Sequence, residues 1–465
     1  MNLPASRYIV YFWLINDLPI DLSTMMFRRF FLQQGPFPVL IGFIFLLISS
    51  NLNWGKQIHI NRIIKSDGKG YYAYLPAIFI YQDLNFNFYD KMDMGTYFDA
   101  PNQYDYRTDY KGKKLNKYYL GTALAMAPFF GMAHCITKIN GGEADGYSTW
   151  YQLGISLAAI FWLVVGLHFL NSLLRMFYVD MLNRIWVLLV TSFGTHLFYY
   201  VLVEPSMSHV YSFAFVTAFL YYSILYFEKP NIRTAFILSL LLGMIGLIRP
   251  VNLLVVIILP FLAGDVFKLF HGLKWLLTHP IKFFLLLASF LSVLFLQSLV
   301  YKFSVGTFFV YAYGQEGFLF CEPHFFDFLF SYRKGFFLYT PIFLISLFGL
   351  FYLAKESFYK VWTWLLFFIP AVYIISSWWI WYYGGSFSAR VMVEFIPVFM
   401  ILLGILFQKI HFRIKPFFLF GVFLIVLLCQ LQTYQYRYYQ IHWSEMNKEK
   451  YWDVFLRLDK IGKEP

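Results

Sequence analysis

The chain has 465 residues, of which 60% are hydrophobic, 23% aromatic and only 13% charged, with a mean hydropathy of +0.58. A water-soluble domain carries roughly a quarter of its residues as Asp, Glu, Lys and Arg, so an ordinary soluble protein is excluded and lipid is the main solvent. The net charge of +12 does not indicate nucleic acid, because the basic residues cluster in short segments between apolar runs, the orientation signal of a polytopic membrane protein. Cys135, Cys321 and Cys429 are too far apart to suggest a disulfide framework or a zinc knuckle.

A segment holding Arg7, Arg28 and Arg29 (1–36) precedes the first apolar run and is expected on the cytoplasmic side. No A-x-A pattern follows that run, so no cleaved signal peptide is expected. A spanning helix needs roughly 20 mainly apolar residues. Such runs fall at 37–53, 150–174, 185–203, 208–227, 234–248, 251–267, 283–300, 336–354, 361–380, 391–408 and 416–433. They predict an all-α polytopic membrane protein with about eleven transmembrane helices, forming one domain over 37–433.

The loops alternate in charge. One set carries Arg175 and Arg184; Lys229 and Arg233; Lys268, Lys274 and Lys282; Lys355 and Lys360; Lys409, Arg413 and Lys415, and is assigned to the cytoplasm. The outward material is then the loop 54–149, the loop 301–335 and a short tail, 434–465. Within the first loop, Leu120 to Lys138 is long enough to span, but counting it would turn the arginine-bearing N-terminus outward. Its Gly121, Pro128 and His134, and the preceding Lys117-Tyr118-Tyr119, fit a helix in or dipping into the outer interface.

Candidate chemistry begins at Ser66-Asp67-Gly68-Lys69-Gly70-Tyr71. Tyr71, Tyr74, Leu75, Ile78 and Phe79 share one helical face, which predicts a second interfacial helix with Asp67 at its start, as an N-cap or as a catalytic carboxylate. Glu204 and His209 flank a short outward turn, where ionisable groups need a partner across space. Arg249 interrupts an apolar run at a cost of roughly 2.5 to 3.5 kcal/mol if unpaired. Arg333 and Lys334 precede the eighth run, and Arg390 begins the tenth after an aromatic, Gly384-Gly385 turn, with Glu394 placed to pair with it at i,i+4. Several cations and acids at one membrane face suit an anionic lipid headgroup.

The order of these features resembles the GT-C superfamily of integral-membrane glycosyltransferases, which includes protein O-mannosyltransferases and lipid A aminoarabinose transferases. The resemblance is carried by Asp67 in the first outer loop, Lys117 to Gly121, the acidic turn at Glu204, Arg249-Pro250, Arg333 to Gly335, and Trp381 to Arg390. Where many relatives have a second acid after the first, this chain has Gly68, so a paired-carboxylate metal site is not implied there.

The resemblance implies transfer of a sugar from a polyprenyl-phosphate carrier to a hydroxyl acceptor on a glycan, lipid or protein. The reaction would take place on the outer, periplasmic face of a bacterial inner membrane, with membrane lipid as a further partner and no nucleic acid. Asp67 would be the base and Glu204 a second acid. His209, Arg249, Arg333, Lys334, Arg390, Tyr71 and Lys117 would bind substrate. No cofactor is required by this reading, with a divalent cation left open. The rivals are a lipid-linked oligosaccharide polymerase and a flippase or transporter. A transporter should spread polar groups along a midplane cavity and show repeats.

Overall fold

The structure, a computed structural model, describes residues 35–56, 60–92 and 104–460. Most of the expected cytoplasmic segment (1–36) and the end of the tail lie outside the described residues. Helix α1 (Phe37–Asn53) is followed by α2 (Asp67–Pro76), which continues as a wider π-type turn through Tyr81, and by the short α3 (Phe88–Lys91). A hairpin of β1 (Arg107–Tyr110) and β2 (Lys113–Asn116) precedes α4 (Gly121–Ile139), α5 (Thr149–Met176), α6 (Met181–Phe193), α7 (Leu197–Leu202), α8 (His209–Glu228) and α9 (Ile232–Ile248). A 3-10 segment, Pro250–Ile258, runs into α10 (Leu259–Ala263), followed by α11 (Val266–Leu277) and α12 (Pro280–Val305). Next come α13 (Phe325–Phe330), α14 (Phe336–Tyr339), α15 (Ile342–Ser346), α16 (Gly349–Glu356) and α17 (Phe358–Ser376). A second 3-10 segment, Arg390–Phe395, opens α18 (Ile396–Lys409), before α19 (Lys415–Arg437) and α20 (Lys448–Val454).

The fold is therefore helical apart from one hairpin. Among the described residues, six helices are long and apolar enough to cross a membrane: α5, α8, α12, α17, the run Arg390–Lys409, and α19. Shorter apolar helices are α1, α6, α9 and Pro250–Ala263. The run 185–203 is split between α6 and α7 around Gly194, and the run 336–354 falls into three short helices. Pro341 disfavours helix at the residue before it. Gly349 lies so close to the backbone of Leu402 that a Cβ there would collide with it.

Helix α2 corrects the expectation of an interfacial helix. Gly68 through Pro76 are all buried, whereas Ile78 and Phe79 in the following turn are exposed. Two glycines let the helix sink into the protein. A Cβ on Gly68 would strike Ser206, and one on Gly70 would strike the Tyr118 ring. The N-cap reading of Asp67 is also corrected: Ser66 stands at the cap position, and Asp67 is the first helical residue. Helix α4 lies antiparallel against the first half of α5, with His134 Nδ1 2.5 Å from the Tyr151 hydroxyl and the Trp162 indole donating to the Ala125 carbonyl at 3.0 Å.

The hairpin turns through Lys111 and Gly112, both with positive φ, the geometry that matches strand twist. Its second strand ends in a residue that holds two parts of the chain together. The Asn116 amide donates to the Gly70 carbonyl at 2.8 Å, and its oxygen accepts from the Tyr118 amide at 3.0 Å, tying α2 to Tyr118.

Candidate active site

The described residues bring the loop after α1 against the start of α18. Arg390 Nη2 donates to Asp67 Oδ2 at 2.7 Å across 323 residues of sequence, with side chains only 14% and 19% exposed. Glu394, the i,i+4 partner that the spacing offered Arg390 as a rival role, is not the acid it takes. Residues 390–395 wind as a 3-10 helix, three residues per turn, so positions four apart no longer share a face. Tyr118 hydrogen-bonds Asp67 and lies 2.5 Å, hydroxyl to hydroxyl, from Tyr104. Burial alone would push the Asp67 carboxyl up. The Arg390 guanidinium, the Tyr118 hydroxyl and Lys117 outweigh it and hold Asp67 below the usual carboxylate value.

Glu394 serves a second cation instead. Fully buried, it accepts from Arg249 Nη1 at 3.2 Å and lies 3.0 Å from His209 Nδ1 through the same oxygen. Its other oxygen has no hydrogen-bond partner among the described residues. The Tyr71 ring lies 4.6 Å from that of Tyr118, tilted by 47°, and Tyr71 is within electrostatic reach of Asp67, Arg249 and Arg390, so the two cation clusters meet around its ring.

A third group surrounds Glu204. The Tyr199 hydroxyl donates to Glu204 Oε1 at 3.1 Å and Lys65 Nζ lies at 3.8 Å, while Oε2 is buried with no hydrogen-bond partner among the described residues. Lys334, almost fully buried, donates to the Ser386 carbonyl and sits 4.5 Å over the Tyr436 ring, with no carboxylate in ion-pair contact among the described residues. Burial pushes its ammonium down to about 7, with repulsion from Arg390 and Arg333 working against attraction to Glu204.

Two expected substrate contacts are engaged elsewhere. Arg333 donates to the Ser444 carbonyl at 2.5 Å and lies 3.8 Å over the Tyr382 ring, holding the tail. Lys117 pairs with Glu316 at 3.3 Å at the edge of the site.

Sequence reasoning did not assign Glu394 to Arg249, nor bring Tyr104, Tyr200 and Tyr313 here. Tyr313 reaches the site from the loop after α12, within electrostatic reach of Tyr71, Arg249 and Asp67. Among the described residues no three His, Cys, Asp or Glu side chains converge as a metal site.

The arrangement supplies an ionised carboxylate, two arginines each secured by an acid, and one buried lysine without one. Such a set can bind a phosphate and accept a proton from a hydroxyl. No protein-family model matches the chain, and no curated protein is similar to it.

Proposed function

We propose that the protein is a GT-C-type membrane glycosyltransferase that moves a sugar from a polyprenyl-phosphate carrier to a hydroxyl acceptor. In this reading all eleven apolar runs cross a bacterial inner membrane, and Asp67 faces the periplasmic side. The observation that carries it is the Asp67–Arg390 pair with Arg249 and Lys334 beside it: a base and phosphate-binding cations in one place. A lipid-linked donor also needs an apolar approach. Between α12 and α17 the surface is formed by α9 and the 3-10 segment Pro250–Ile258, which starts at Arg249. The loop 306–324, leading from α12 to α13, is hydrogen-bonded to the end of α17 through the Leu319 and His324 amides, with Phe309, Tyr311, Leu319 and Phe320 exposed and Tyr313 turned to the site.

The chemistry is a single displacement. The acceptor oxygen attacks the anomeric carbon, the carbon–oxygen bond to phosphate breaks, and polyprenyl phosphate leaves with its electron pair. The acceptor proton goes to Asp67 and then to water. While it holds Arg390, Asp67 is a poor base. A donor phosphate competing for that guanidinium leaves the buried carboxylate less compensated and raises its pKa, so donor binding prepares the base.

The purified protein, incubated with radiolabelled polyprenyl-phosphate sugars, is expected to transfer label from at least one carrier to a hydroxyl acceptor. Retention of label on every carrier, in a preparation that binds none of them, overturns the reading.

A further inference from the structure

The opposite end of the bundle carries a cavity and an amphipathic helix that the reaction does not use. Helix α8 begins in the candidate site at His209 and runs for 20 residues to Glu228, about 30 Å away. There a cavity of about 460 Å³ opens among the ends of α8, α10, α16 and α18 and the starts of α11 and α17.

Six charged side chains line it. Lys268 pairs with Glu228 at 2.5 Å, Lys409 pairs with Glu356 at 2.7 Å, and Asp265 caps α11 by accepting from the Lys268 amide at 2.8 Å. Glu228 and Glu356 are thereby paired with lysines, and one oxygen of Asp265 is turned to the start of α11. The Lys360 ammonium, from the first turn of α17, has no carboxylate partner among the described residues. The starts of α11 and α17 also contribute to the lining; α11 is capped by the Asp265 carboxylate and α17 by the neutral Ser357, so the start of α17 is the one that favours a further anion.

Helix α11 divides into three sectors at 100° per residue. Leu269, Gly272 and Leu276 face the protein, Gly272 against the rings of Tyr226 and Phe227. Val266, Phe270, Leu273 and Leu277 form a neighbouring strip that is apolar and exposed, while His271, Lys274 and Thr278 lie on the remaining side with the exposed Phe267 among them. An exposed apolar strip beside a basic strip is the pattern of a helix lying in a membrane interface. The strip continues into Ile281 and Phe284 of α12, a spanning-length helix only 17% buried over its most apolar window, so the surface that covers it is the bilayer.

We propose that α11 lies in the membrane–water interface at the end of the bundle opposite Asp67, and that the adjoining cavity takes the phosphate headgroup of an anionic phospholipid on Lys360. The inference is independent of glycosyl transfer and requires only that the apolar helices sit in a bilayer.

Two measurements on the full chain test it. Nitroxide labels are placed at Phe270→Cys and Lys274→Cys in a background lacking the three native cysteines, and the protein is reconstituted in phosphatidylcholine vesicles with phosphatidylglycerol. The label at 270 is expected to collide more often with oxygen than with an aqueous nickel chelate, and the label at 274 the reverse. Equal, water-like exposure at both overturns the interfacial placement.

Native mass spectrometry of detergent-purified protein is expected to show one more retained phosphatidylglycerol for wild type and Lys360→Arg than for Lys360→Gln. Lys274→Gln, away from the cavity, should match wild type. Equal retention by wild type and Lys360→Gln overturns the headgroup site. Displacement of the lipid by millimolar inorganic phosphate assigns the site to a free anion and also overturns it.

Discussion

The Asp67–Arg390 pair makes the sharpest prediction, because a purely structural ion pair and a base held by a phosphate-binding arginine respond differently to the same four variants. At 2.7 Å, with both side chains less than one-fifth exposed, the pair is far from a surface salt bridge. Two unit charges about 4 Å apart at an effective dielectric near 20 attract by roughly 4 kcal/mol, and removing one partner of a well-buried pair costs about 3 to 5 kcal/mol. Asp67→Asn and Arg390→Gln should therefore each lower stability, while the double variant recovers part of the loss. A thermal-unfolding cycle reads this directly. Turnover separates the roles. If Asp67 is the base, Asp67→Asn loses roughly a hundred to ten thousand fold, and the double variant stays inactive despite its recovered stability. If Arg390 grips phosphate through its fork, Arg390→Lys keeps most of the stability yet loses donor affinity, since an ammonium cannot bind in two places. Near-normal turnover by Asp67→Asn, or by the stabilised double variant, would refute the assignment and leave the pair a structural clamp between α2 and α18.

Four further outcomes are expected. Donor affinity should weaken as the pH rises through about 7, where Lys334 loses its charge; Lys334→Arg, charged throughout, should flatten that profile in a binding titration, and Lys334→Met should bind donor about tenfold more weakly at pH 6 yet unfold at a higher temperature. Because the Asp67 carboxyl is held below its ordinary value, its contribution to stability is present above about pH 4 and is lost as the pH falls through the folded value; acid unfolding of wild type should therefore show a stability loss that is reduced in Arg390→Gln. Glu394→Gln should weaken donor binding by about tenfold through Arg249, with little change in the rate at saturating donor, as measured by separate KM and kcat values. Cysteines placed at the exposed positions Glu143 and Asp180 should react with an impermeant thiol reagent from opposite sides of the membrane; labelling from the same side contradicts the alternation of the loops.

The helices were readable in the sequence because the signal for a lipid-soluble helix is local. Runs such as 150–174 and 208–227 recur as α5 and α8 within a few residues. The breaks were harder to see, since Gly194 and Gly349 interrupt their runs through contacts with distant chain. Helix α2 shows the same limit. Its apolar face was legible, but whether that face meets lipid or protein depends on Ser206 and Tyr118 filling the space beside Gly68 and Gly70. The candidate site was legible as a set of residues and illegible as a set of pairs. Asp67, Glu204, His209, Arg249, Lys334 and Arg390 stand out one by one because charges in apolar surroundings are costly. Which acid each cation takes is decided by topology, and in the case of Arg390 by a single change of helical winding at 390–395.

Those pairings change how the cations should be ranked for a donor phosphate. Counted from the sequence, Arg249, Arg333, Lys334 and Arg390 are equivalent positive charges. In the fold, Arg249 is compensated by Glu394, Arg390 by Asp67, and Arg333 is spent on Ser444 and the Tyr382 ring. Lys334 alone among the four is nearly inaccessible and without a close carboxylate, and burial has already moved its pKa toward neutrality. A phosphate arriving beside Arg390 therefore gains most from Lys334, whose proton it stabilises. The same phosphate draws Arg390 away from Asp67. One anion would then fix a proton on the lysine and release the carboxylate to accept another, so the affinity of the site for donor and the basicity of Asp67 are set by the same electrostatic exchange.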